Sequence, residues 1–236
     1  MEILIACLII TVGAFVQTAI GFGLAVVAAP ILYFLDPNYV PAPITMCAFV
    51  LSVFNVYSYR AQVSFKGLGS AVAGRIPGSL LGAMLLVWID HDTLALWIGL
   101  SVLGAVAVST SSLRWHPTPG RMAFAGFMSG FMGTSSSIGG PPMALLWQHQ
   151  EVNLIRANLA AFFTVSCLMS LIILAPFGQF GLPQLKLGLP LLPATFLGFV
   201  LARRSMTRVP HRQLRMASLT LCAITGLYAV FSYWME

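Results

Sequence analysis

Between Gly126 and Trp147 the chain reads GFMSGFMGTSSSIGGPPMALLW, apolar at both ends and broken in the middle by Thr134, Ser135, Ser136, Ser137, Gly139, Gly140, Pro141 and Pro142. Glycine opens backbone conformations closed to other residues, and tandem prolines remove two amide donors, so no helix runs unbroken through this stretch. The flanks are apolar enough for lipid. Irregular backbone at membrane depth survives only where protein buries it or water wets it. The break is therefore a candidate site, and the rest of the chain reads as its support.

That support is a membrane protein. Only 8% of residues are charged and 58% are hydrophobic, against about 25% charged in a soluble domain. The start, Met1-Glu2-Ile3-Leu4, lacks the basic region of a cleaved signal peptide, so the first apolar run is expected to stay in the mature protein. The net charge of +6 does not point to nucleic acid, because the loops are too short for a binding module. Cys7, Cys47, Cys167 and Cys222 lie inside apolar runs without paired spacing and read as small buried hydrophobes, with neither metal nor disulfide. No cofactor motif is present: a nucleotide-binding glycine loop followed by lysine is missing, so ATP is not expected to drive the chain directly.

A helix needs about 20 apolar residues to cross a bilayer. Ile3–Leu35 has 33, too many for one crossing and too few for two, and its middle, Gln17-Thr18-Ala19-Ile20-Gly21-Phe22-Gly23, is again polar and glycine-rich. The other spans read Pro43–Tyr59, Phe65–Ile89, Leu94–Leu113, the broken run within Met122–Gln148, then Leu154–Phe177, Leu185–Ala202 and Leu214–Trp234. Ile20-Gly21 lines up with Ile138-Gly139, Pro77 with Pro193, Gly82 with Gly198 and Gly104 with Gly226, at separations of 116 to 122 residues. Collinear matches with a broken run opening each half indicate an internal repeat, residues 1–115 and 116–236.

Charge orients the halves. If each broken run is a hairpin that enters and leaves on one face, then Arg60, Lys66, Arg114, Arg121, Arg156, Arg203, Arg204, Arg208, Arg212 and Arg215 share one side. Glu2, Asp36, Asp90, Asp92, Glu236 and Lys186 share the other. If each broken run crosses once, the Arg203–Arg215 cluster moves away from Arg60, Lys66, Arg114 and Arg121. Cytoplasmic loops carry the Lys/Arg excess, which favours hairpins. The expected fold is an all-α polytopic membrane protein of two inverted repeats. Each is a broken re-entrant hairpin followed by three transmembrane helices, and both termini are non-cytoplasmic.

Interrupted helices in inverted repeats place a site near the bilayer midplane. The sequence predicts one half-helix ending at Gly21-Phe22-Gly23 and a second starting at Leu24. It also predicts a Ser135–Gly140 turn, then a half-helix Met143–Gln148 whose amides face an anion. Ser135, Ser136 and Ser137 add hydroxyl donors. Equally, small residues there could simply permit close helix packing. Arg75 is the charged residue deep in a clear span, about 14 Å from Lys66 along a helix; charge at that depth faces a partner, an anionic substrate or hairpin carbonyls, or snorkels. Asn55 and Asn158 either bond between helices or line a pathway. Gln148-His149-Gln150-Glu151 reads as an interfacial polar cluster, a gate or a proton relay. Trp88, Trp97, Trp147, Tyr228, Tyr233 and Trp234 read as interface anchors. The candidate substrate contacts are Gln17, Thr18, Gly21, Phe22, Gly23, Arg75, Ser135, Ser136, Ser137, Gly139, Gly140 and Asn158.

The pattern resembles the TauE/SafE family of sulfite exporters, also called the TSUP family, across essentially the whole chain. The residues that carry the resemblance are Gly21-Phe22-Gly23 through Pro30, Gly130-Phe131-Met132-Gly133 with Ile138-Gly139-Gly140-Pro141, and Asn158 with Phe162-Phe163. The resemblance implies an inner-membrane permease for sulfur-containing or organic anions such as sulfite or sulfonates. The sequence itself supports a secondary transporter with a polar midplane site, working in a lipid bilayer on a small anionic substrate. A channel is the alternative. A serine hydrolase is the remote one, since such chemistry needs a base beside the nucleophile and His91, His116, His149 and His211 map to loops or span ends.

Overall fold

The computed structural model describes residues 1–65, 67–110, 116–147, 150–205 and 211–233. Lys66, Arg114, Gln148, His149, Arg208, Trp234 and Glu236, and the side chains of His91, Asp92, His211, Arg212, Arg215 and Tyr233, lie outside the described residues. Eleven α-helices are described: α1 (Glu2–Ile20), α2 (Leu24–Leu35), α3 (Ala42–Tyr59), α4 (Leu68–Trp88), α5 (His91–Thr110), α6 (Pro119–Ser136), α7 (Gly140–Trp147), α8 (Val152–Leu174), α9 (Leu182–Gly188), α10 (Leu192–Ser205) and α11 (His211–Tyr233). Among the described residues no strand occurs, and six helical segments are long and apolar enough to cross a membrane.

Both broken runs fold back on themselves. Gly21 ends α1 at φ 108° with its N–H on the Gln17 carbonyl, and Gly23 opens α2 at φ 130°; only glycine adopts such values cheaply. In the first, α1 and α2 pack against each other across this turn. Likewise Trp147 and Gln150 line the same cavity as Thr118, Pro119 and Met122, so α7 ends where α6 begins.

Two elements differ from the sequence reading. The second turn is shorter than Ser135–Gly140, because α6 continues to Ser136 and α7 starts at Gly140. The Ser135 and Ser136 hydroxyls bond back to the Phe131 and Met132 carbonyls at 2.7 and 2.8 Å, a local bond that a helix tolerates. Pro141 and Pro142 fall in the first turn of α7, where helical N–H groups have no partner anyway. The span read as Leu185–Ala202 is α9, a 3-10 turn at Leu189–Leu191, and α10, since Pro190 and Pro193 each remove a helical hydrogen bond.

Helix directions follow from facing residues. In the α4–α6 pair Ala71 faces Gly126, Arg75 faces Gly130 and Gly82 faces Phe131, so the two run parallel. Gly74, Gly78 and Gly82 present a four-residue repeat of bare backbone to α6, and a Cβ on Gly82 would come 2.5 Å from the Phe131 carbonyl oxygen. Small residues at this spacing let helices approach closely in lipid. The α5–α11 pair is antiparallel: Gly99 faces Ala229 and Val230, while Gly226 faces Val102. So is α3–α8, with Asn55 near Arg156 and Ala160 but Ala48 near Phe163 and Cys167. Exchanging the halves leaves the main pairings unchanged: α1–α2 maps to α6–α7, α4–α6 to α10–α1, and α5–α7 to α11–α2.

Candidate functional site

The first hairpin is held at its turn by two side chains. Gln17 Oε1 accepts the Leu24 amide at 3.2 Å, and the Arg156 guanidinium, reaching from α8, donates through Nε and Nη2 to the Ala19 carbonyl. Arg156 thus occupies one of the free carbonyls at the α1 C-terminus.

The turn of the second hairpin is fixed from both sides. Ser137 is the non-glycine residue with positive φ (65°) among the described residues. Its hydroxyl lies 2.8 Å from the Pro41 carbonyl and 3.1 Å from Thr45 Oγ1, which anchors this costly conformation. Ser129 Oγ donates to the Gly139 carbonyl at 2.5 Å and accepts from Arg75 Nη1 at 2.8 Å. Arg75 Nη2 donates to Ser170 Oγ at 3.0 Å, itself 2.8 Å from Thr134 Oγ1.

The two turns meet. A Cβ on Gly140 would come within 2.9 Å of Phe22. Beside this contact is a cavity of about 30 Å³ whose lining includes Gln17, Gly23, Thr45, Arg75, Ser137 and Gly139. It has room for a water. Arg75 is 3% exposed, its Nε has no hydrogen-bond partner among the described residues, and its charged head lies 5.6 Å from the Phe162 ring. Its hydrogen-bond partners are neutral hydroxyls. They satisfy donors without cancelling charge, and a buried charge costs free energy unless it is paired.

This geometry moves the positive charge of the site from backbone to side chain. Two of the first three α7 positions are proline and the Gly139 N–H is already 3.2 Å from the Ser137 carbonyl. Few amides remain for an anion, and the guanidinium is the stronger attractor.

Of the candidates read from sequence, Gln17, Phe22, Gly23, Arg75, Ser137, Gly139 and Gly140 line this cavity. Thr18 and Gly21 line a separate crevice with Ser52, Asn55 and Arg156. Ser136 is spent on its own helix, and Ser135 also accepts from Trp97 Nε1 at 2.8 Å. Asn158 lies elsewhere: its Oδ1 takes the Ser64 amide at 2.8 Å and it borders a cavity of about 340 Å³ beside Thr118 and Trp147. Trp147 is 2% exposed, so it is not an interface anchor, and Trp97 donates to Ser135 Oγ. The sequence reading missed Arg156, Ser129 and Ser170. Arg156 carried a signal, but its charge was assigned to topology; a serine inside an apolar run carries none.

The family model described as "Sulfite exporter TauE/SafE" matches residues 5–229. No curated protein and no solved structure matches the chain.

Proposed function

The chain belongs to the TauE/SafE sulfite exporter family, and from that premise we propose that it is a secondary transporter of small sulfur-containing or organic anions such as sulfite or sulfonates, with Arg75 at the binding site. One observation carries the reading: a guanidinium buried where the hairpin turns meet, bonded among the described residues only to hydroxyls, and lining a cavity. An oxyanion supplies the missing negative charge, and Arg presents donors in a fork matched to two oxygens. Gln17, Thr45 and Ser137 add neutral polar groups along the same cavity.

The proposed mechanism is alternating access in an inner membrane, with two inverted repeats and both termini on the non-cytoplasmic side. The helix directions support it. Antiparallel α5–α11 and α3–α8 pairs fit hairpins that return to their own face, whereas single crossings of the broken runs would make both pairs parallel. On this orientation the Arg156 end of α8 is cytoplasmic, so the first turn closes the inward path and the second the outward path. A cavity with room for a water corresponds to an occluded state, and substrate entry requires one turn to withdraw.

The test is reconstitution in proteoliposomes. Sulfite uptake is expected to saturate, to show counterflow, and to be inhibited by sulfonates. Linear, non-saturating flux without counterflow would replace the carrier with a channel, and no anion flux at all would reject the reading.

A further inference from the structure

A crevice that shares Gln17 with the Arg75 cavity is lined by Gln17, Thr18, Gly21, Ser52, Asn55, Arg156 and Ala160. Gln17 borders both spaces. Its hold is slight: Nε2 reaches Ser52 Oγ at 3.5 Å and Oε1 the Leu24 amide at 3.2 Å. In this conformation the crevice has no room for a water. Two of its features bear on what it could bind. Arg156 brings a positive charge whose acceptors are a carbonyl, Ala19, and an amide oxygen, Asn153 Oδ1 at 3.4 Å. Asn55 is 5% exposed, its Nδ2 serves the Leu51 carbonyl and Thr18 Oγ1, and its Oδ1 is buried with no donor among the described residues.

We propose that this crevice is a second anion station, one that takes a protonated oxyanion of the hydrogensulfite type. The inference rests on the transport reading above. The guanidinium binds the anionic oxygens, displacing the Ala19 carbonyl, and Asn55 Oδ1 accepts the hydrogen of the substrate's O–H. A bare dianion has no hydrogen to give, so it forgoes this hydrogen bond and sets an unprotonated anionic oxygen against the acceptor, whereas the protonated form relieves an acceptor that is unpaired in the empty crevice. Release of Ala19 frees the first turn, so occupancy of the station and opening of the path past Gln17 occur together. Arg156 is the charged side chain that lines the crevice. At the same end of α3, Tyr59, Arg60 and Arg203 do not line it, and Arg203 stacks on Tyr59. The pH dependence therefore belongs to the anion.

The experiment is radiolabelled sulfite exchange in proteoliposomes held at equal pH on both sides, on the acid and alkaline sides of hydrogensulfite ionisation. For the unaltered protein, KM in total sulfite is expected to be lower on the acid side. Asn55→Ala should raise the acid-side KM about two- to tenfold, leave the alkaline KM in place, and so flatten the profile. Asn55→Ser, a milder change, should fall between. Arg156→Gln should raise KM at both pH values, with partial recovery in Arg156→Lys. The inference is overturned by a lower KM on the alkaline side in the unaltered protein. It also falls if Asn55→Ala raises KM equally at both pH values, or if Arg156→Gln keeps the parent KM. Arg75-dependent sulfite flux with any of these three results removes the station alone. Absence of sulfite flux in the unaltered protein removes the transport reading and the station together.

Discussion

Ser137 Oγ lies 2.8 Å from the Pro41 carbonyl, so the turn of the second hairpin is bonded to the residue just ahead of α3 in the first half. The first hairpin has a counterpart, since its Ala19 carbonyl is held by Arg156 near the start of α8 in the second half. Each turn is thus fastened to the other half of the chain, and α3 and α8 pack on each other between the two fastenings. Moving either turn breaks a bond between the halves.

Ser137→Gly should loosen the second turn, because it keeps the positive φ while removing the hydroxyl bond. A neutral hydrogen bond contributes about 0.5–1.5 kcal/mol, a two- to tenfold shift in the open fraction. A cysteine at Thr45 in a background cleared of native cysteines should then react faster with a small thiol reagent. Equal reaction rates with and without Ser137→Gly would show that the Pro41 contact holds nothing closed.

Arg75→Ala should weaken anion binding about tenfold to a hundredfold, corresponding to about 1.5–3 kcal/mol for a charge-assisted hydrogen bond. Arg75→Lys should recover only part, since a point charge cannot satisfy Ser129 and Ser170 in the same planar fork. Sulfite titration of the purified protein, with a thermal melt as the control for folding, measures both. Parental affinity in a well-folded Arg75→Ala protein would leave the guanidinium a structural brace for Ser129.

Gly139→Leu should abolish transport, because a Cβ there would lie 2.6 Å from the Ser129 carbonyl oxygen and fill the edge of the cavity. Gly21→Leu should be similarly damaging, given φ 108° and a Cβ 3.0 Å from Leu159. By contrast, Ser136→Ala loses only a bond to its own helix and should keep most of the parental rate. Uptake assays on protein shown to reach the membrane rank the three; a Ser136→Ala defect as deep as that of Gly139→Leu would contradict this placement.

Cysteines placed singly at Asp36 and Asp90, without the native four, should react with an impermeant reagent from outside intact cells. Ones at Arg60 and Arg204 should not. Labelling of Asp36 and Arg60 from the same side would end the hairpin topology.

The sequence alone determined the membrane class, the two broken runs and the first turn, because composition and glycine or proline chemistry act locally and need no neighbour. It also marked Arg75, since a charge inside an apolar run announces itself. Tertiary structure decided what those residues meet. The α6 helix reaches Ser136 because its serines can bond to their own carbonyls, a choice that the Ser/Gly/Pro spelling leaves open. Ser129 and Ser170 became partners of Arg75 only when α4, α6 and α8 came together, and no periodicity signals a contact across ninety-five residues. Arg156 shows the same limit: a cation near a helix start reads as a topology mark until the fold brings the carbonyl of Ala19, 137 residues away, to its guanidinium.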